Sequence, residues 1–259
     1  QIGYHAPDLT KVIGESRAPE NFHVRGASHE FWIRVPSANH ATDDKIIYQK
    51  VNSTAEKGVT ITYKGVAGTP NTYKIGFHIS SDKFKAIYHE LESLSYDTWH
   101  HVCFVYERAD TERLLSYKNG EFVTSTENTK SELENIKISD GTIKLGTGVV
   151  IDTFAKTLSS VSNFIGYIDE FRIWSTVRTK EQIKENMHKN VDAQEYLQLY
   201  YRFNEPSFTT HEYGAENIVL DFSGSGLHIL INGIVGSFDP KAKITVSYTH
   251  LRAHETQSD

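Results

Sequence analysis

An all-β fold of two antiparallel sheets with one short helix is what this sequence predicts, and three observations predict it. Apolar side chains fall on alternate positions in segment after segment, as in Val59, Ile61 and Tyr63 and in Tyr73, Ile75, Phe77 and Ile79; that period puts one face of each strand in a core. Gly, Asn, Asp and Ser separate these segments at the short spacing typical of antiparallel sandwiches. Asn119-Gly120 stands between LLSYK and EFVTS, and two adjacent residues that tolerate positive φ are the strongest short-range sign of a hairpin.

Taken in order, the same alternation predicts further strands at 31–35, 45–51, 83–89, 99–106, 113–117, 142–145, 164–174 and 197–203. The helix is expected at 179–189: Thr179 can cap it, Gln182 follows three residues on as in a capping box, and Ile183 and Met187 share a face. Within FIGYIDEFRIW, Phe164, Gly166 and Ile168 share one parity while Phe171 and Ile173 have the other. An extra residue must be absorbed at Asp169 or Glu170, so a β-bulge is expected there.

Composition bounds the function. With 38% hydrophobic and 12% aromatic residues among 259, the chain has enough apolar material for a core and too much for disorder. A net charge of -6 with dispersed Lys and Arg offers phosphate backbones no attraction, so nucleic acid is not expected as a partner. The longest apolar runs, 217–220 and 227–235, are far shorter than the roughly 20 residues of a membrane-spanning helix. One cysteine, Cys103, excludes an intrachain disulfide and a multi-cysteine zinc site, and its strand position suits a small core residue. The chain starts at Gln1 without Met or an apolar leader, and is read as a fragment.

The blocks EFWIRVPS, YDTWHHVCFVYE, LLSYKNGEFV, IKLGTG and FIGYIDEFRIWSTVRTKEQI, in this order across 21–190, resemble laminin G-like and pentraxin-like jelly-roll domains. The resemblance implies two curved sheets packed face to face. It makes Trp32, Trp99, His101, Asn119, Gly120, Gly166, Ile168, Asp169, Glu170, Arg172 and Trp174 signature positions with structural roles. Trp99 is expected in the core. Residues 1–20 then read as a linker or remnant, 191–246 as closing strands or the start of a truncated second module, and 247–259 as a tail like translated sequencing-adapter read-through. LYYRFNEPS and VLDFSGSGLH are similar to the opening strand pair of such a module, which favours the second-module reading.

Candidate chemistry is sparse. His100 and His101 are adjacent, and neighbouring strand residues point to opposite faces, so they cannot readily share a metal. Glycoside hydrolases of this architecture carry alternating acids, Glu-x-Asp-x-x-Glu, because one acid attacks while another protonates the leaving group. Here Asp169 and Glu170 are adjacent and no third acid follows, so Asp169 is expected to tie the bulge and Glu170 to pair with Arg172 or a neighbour. Where pentraxins continue LG with an acidic, amide-rich calcium loop, this chain has Thr147, Gly148, Val149 and Val150. Asp43, Asp44 and Asp152 remain the oxygen ligands available to calcium, without a dense ligand loop. Asn52-Ser53-Thr54 forms a glycosylation sequon.

These readings lead to a non-enzymatic binding or adhesion module of a larger extracellular, surface or phage virion protein. It would need no cofactor and would recognise a glycan or protein. The alternative is a purely structural module packed among virion or surface subunits, and a glycoside hydrolase-related enzyme stands behind both. No ligand-binding residue is assigned from the sequence.

Overall fold

A computed structural model describes residues 26–51, 58–80, 86–108, 111–128, 143–152, 157–204 and 218–230. The sequon, segments 1–20 and 247–259, and the start of the expected strand at 83–89 lie outside them.

Two antiparallel sheets form the body. The larger has the order β13 (Leu197–Tyr201), β12 (Tyr167–Trp174), β1 (Gly26–Arg34), β6 (His100–Arg108), β7 (Glu112–Lys118), β8 (Glu121–Asn128). The smaller has the order β5 (Ala86–Ser95), β4 (Thr72–Ser80), β3 (Gly58–Gly65), β2 (Lys45–Val51), β9 (Lys144–Leu145). A hairpin of β10 (Thr147–Asp152) and β11 (Thr157–Asn163) lies against β2, and β14 (Ile218–Val219) pairs with β15 (Ile229–Leu230). Outer strand β13 is hydrogen-bonded to β12, and Tyr201 bridges to Asp221, so this stretch extends the larger sheet.

The alternation read from the sequence decides which residues meet between the layers. Phe31 and Ile33 of β1, Val102, Phe104 and Tyr106 of β6, and Phe171 and Ile173 of β12 face Val59, Ile61, Tyr63, Tyr73, Ile75, Phe77 and Ile79 in one buried cluster. Phe77 stacks on Phe104 across the layers, ring centroids 5.1 Å apart and 3° from parallel. Each such ring removes a large apolar area from water, worth roughly 1.5–3 kcal/mol.

The bulge occurs where parity demands it. Trp32 is opposite Asp169 and Glu30 is opposite Arg172, so Phe31 faces two residues, Glu170 and Phe171. Glu170 takes φ 51°, and its N–H donates to Asp169 Oδ1 at 2.9 Å. Asn119 and Gly120 turn the β7–β8 hairpin with φ 51° and 78°. Helix α1 (Lys180–Asn186) starts at the capping box of Thr179 and Gln182 and buries Ile183.

Trp99 corrects the sequence reading. It stands just before β6, half-buried, with its ring 6.4 Å from Tyr167. His100 has the inward parity of Val102 and Phe104, so Trp99 must face the other way, and Tyr96 fills the core in its place. Several other boundaries move: the strand expected at 31–35 is Gly26–Arg34, the helix expected at 179–189 ends at Asn186, and the strand expected at 197–203 ends at Tyr201. The strand expected at 164–174 begins at Tyr167, and β5 runs on to Ser95 because Ser93, at φ 61°, resets the parity between Leu91 and Leu94. The β10–β11 hairpin was not foreseen at all.

Candidate functional site

Most signature residues gather on the outer face of the larger sheet, beneath α1. Arg172 is the hub. Its Nη1 donates to Glu30 Oε1 at 3.4 Å and to the Asn186 carbonyl at 3.0 Å; its Nη2 donates to Glu170 Oε2 at 2.5 Å and to the Lys189 carbonyl at 2.7 Å. Tyr200 closes the network by donating to Glu170 Oε2. Trp174 Nε1 donates to Glu30 at 2.9 Å, Trp32 Nε1 to the Met187 carbonyl at 2.8 Å, and the Arg178 guanidinium lies 4.1 Å over the Trp174 ring. Burial alone would raise the Glu30 carboxyl, but Arg172, His101 and Arg178 hold it below its ordinary value. Arg172 thus satisfies the carbonyls that the helix end leaves open and ties them to the sheet. Arg172 and Glu30 are 0% exposed, so no ligand reaches this network as it stands.

The remaining candidates are scattered. His101 Nε2 lies 3.8 Å from Glu30 Oε2 on the outer face, while His100 points inward and bonds to Ser95. Asn119 Oδ1 accepts from the His101 N–H at 2.9 Å, joining the hairpin to β6. Ile168 is in the core, and a Cβ at Gly166 would stand 2.3 Å from the Phe164 ring, which explains the glycine. Asp43 pairs with Lys45 at 2.7 Å and Asp44 with Lys64 at 3.7 Å; the side chain of Asp152 is outside the described structure. No group of three or more metal-ligating side chains is assembled among the described residues.

The structure places a different feature on view. β5 and β8 are the outer strands of the two sheets, and between them opens a cleft of about 630 Å³. Tyr88, His89, Glu90, Glu92 and Ser93 line one side, with Lys118, Val123, Thr124 and Thr126 on the other. His89 joins the walls at Thr126, Nδ1 to Oγ1 2.9 Å. Lys118 crosses to the Ser93 carbonyl at 3.0 Å.

Tyr88 is the exposed aromatic of this cleft, 41% accessible. It lies beside Gly76, where a Cβ would come within 2.7 Å of its hydroxyl and 3.0 Å of its ring. The absent side chain therefore leaves room for the edge of the ring and its hydroxyl beside the backbone of β4. Its hydroxyl donates to Glu90 Oε1 at 2.6 Å, and Lys74 binds the same oxygen at 2.6 Å. Burial would raise Glu90, but Lys74 and the Tyr88 hydroxyl hold it below the usual carboxylate value. A carboxylate kept ionised accepts hydrogen bonds; it is a poor proton donor to a leaving group. Sequence reading passed over Tyr88 and Glu90. Their one signal was a polar-face tyrosine and glutamate two residues apart on an alternating strand.

No helix among the described residues is long and apolar enough to cross a membrane. Comparison with curated proteins gives no match. Among solved structures, a Bacteroides ovatus ATCC 8483 protein provisionally described as carbohydrate-binding is 18% identical, with a TM-score of 0.49; the match covers 81% of this chain and 52% of that one, so this chain spans about half its length. The binding domain of botulinum neurotoxin serotype C1 is 16% identical with a TM-score of 0.40, covering 65% of this chain and 38% of that one. The binding domain of Paraclostridial Mosquitocidal Protein 1 is 14% identical with a TM-score of 0.39, covering 62% and 36%. None reaches a TM-score of 0.5, and no ligand is carried over from them. The laminin G-like family model described as the concanavalin A-like lectin/glucanases superfamily matches residues 15–184, and with the two-sheet body that agrees with it, the chain belongs to that superfamily.

Proposed function

We propose that the chain is a non-enzymatic recognition module that holds a saccharide in the cleft between β5 and β8. The observation that carries this reading is Tyr88, an exposed ring in the lining of the cleft whose edge packs against Gly76 and whose hydroxyl is held by an ionised Glu90. A sugar presents C–H groups on one face and hydroxyls at its rim. A flat ring with an acceptor at its edge complements both. Thr124 and Thr126 add hydroxyls on the opposite wall. An extracellular, cell-surface or virion setting belongs to the same proposal.

A glycan array probed with the full chain tests it. We expect one saccharide class to bind, and Tyr88→Ala to weaken that binding at least about tenfold, the loss of one stacking contact with its aligned acceptor. Phe122→Ala, which removes an exposed ring outside the cleft, should leave it unchanged. Equal loss in both variants, or none in Tyr88→Ala, would remove the cleft from consideration. The purely structural reading has one observation in its favour: β8 is an outer strand that exposes Phe122 and Val123. A silent array with self-association lost in Val123→Lys would favour it.

A further inference from the structure

We propose that acid opens this cleft: His29 and His89, buried on either side of the Phe77–Phe104 stack, allow the two layers to part along the β5–β8 edge when they take up protons. The inference rests on the cleft being the binding site, where opening would release the bound saccharide.

His29 stands on the inner face of β1, 0% exposed, and neither ring nitrogen has a hydrogen-bond partner among the described residues. Its ring is 5.8 Å from Tyr48 of β2 and 5.2 Å from Phe77 of β4, while Phe104 of β6 and Ile173 of β12 lie opposite it on the neighbouring strands. Tyr48 is thus the sole titratable neighbour among these, and its hydroxyl likewise has no partner among the described residues. Two rings away, Phe104 lies 6.3 Å from His89. Phe77 is opposite His89 on β4, Thr126 faces it from β8, Glu90 follows it on its own strand, and Glu92 and Lys118 line the cleft. Among the described residues the buried His89 Nε2 has no hydrogen-bond partner, and neither imidazole forms an ion pair.

An imidazolium donates from both ring nitrogens, and among the described residues neither nitrogen of His29 is within hydrogen-bond reach of an acceptor. Burial pushes His29 down to about 3 from its ordinary 6.5 and lowers His89 as well, against a smaller upward pull from Glu90. Stability from this source is therefore complete above the ordinary value and falls as the pH drops towards the buried one. At pH 5 a histidine locked neutral in the closed chain favours any state that exposes it by about thirtyfold. The layers should part at β5 and β8 first. Those strands are the outer members of different sheets and share no backbone ladder; side-chain bonds such as His89 to Thr126 join them.

Hydrogen exchange of the full chain at pH 7.5 and 5.0, corrected for the intrinsic chemical rate, tests this without any ligand. In the wild type, exchange at pH 5.0 should rise about tenfold or more in β5 and β8 and little elsewhere. In His29→Leu and His29→Gln the rise should shrink, and the fall of Tm between the two pH values should be shallower. The slope with pH is read, so a lower starting Tm from altered packing does not matter. A rise spread evenly over all strands, or slopes equal to the wild type in both variants, would overturn the proposal. A silent glycan array beside the expected exchange pattern would sink the saccharide reading alone; a positive array with flat exchange would sink acid opening alone.

Discussion

Arg172 shows how one side chain can be indispensable without touching a ligand. It lies between two carboxylates and two carbonyls, and its removal would take from the buried Glu30 its principal cation. Leaving one member of a buried pair alone typically costs about 3–5 kcal/mol. We therefore expect Arg172→Met to lower unfolding stability by that order in urea titration, with the β-sheet circular dichroism retained at low denaturant. A loss under about 1 kcal/mol would mean that the network contributes little net stability. Cys103 offers a second residue-scale check. It is 0% exposed, and burial followed by the nearby Glu30 charge pushes its thiol well up. A thiol-specific reagent should label it at the rate of unfolding and not before.

At the scale of elements, short-range chemistry fixes the β7–β8 hairpin and α1, and each is then used to hold the other. Gly120 has φ 78°, and a Cβ there would meet Lys184 of α1 at 3.1 Å. Gly120→Ala would place an L side chain in the left-handed region and press it on the helix, which should cost about 1–2 kcal/mol. Thr179→Ala removes the cap that accepts from the Gln182 N–H, at a cost of about 1 kcal/mol. Since Gly120 packs on Lys184 of the helix that Thr179 caps, the double variant should depart from additivity. Denaturant midpoints of the two single variants and the double variant measure this, and strict additivity would show that hairpin and helix act independently.

For the whole molecule, the decisive contacts join residues distant in sequence. Phe104 is packed on Phe77 from the opposite layer and borders His89. Phe104→Ala should destabilise the chain by about 3–5 kcal/mol, the usual range for a large core ring. It should also weaken saccharide binding, because the cleft walls lean on that stack. Unfolding titration and the array-positive saccharide give the two readouts; a large stability loss with unchanged binding would show that the cleft is held by its rim contacts alone.

The sequence by itself determined the layers. Period-two alternation named the core residues of β3 and β4, parity located the bulge at Asp169 or Glu170, Asn119-Gly120 gave the hairpin, and Thr179 with Gln182 gave the helix start. These depend on neighbours one to four positions away, where local sterics and hydrogen bonding decide the outcome. Trp99 was misplaced because an aromatic at a strand start carries no parity of its own; the inward place went to His100. The cleft was invisible for a stronger reason. Tyr88 takes its place in the cleft only because β4 sets Gly76 beside it, and His89 meets Thr126 only because two separate sheets bring their outer strands together. Such meetings are fixed by sheet order, and sheet order is an outcome of packing the whole chain.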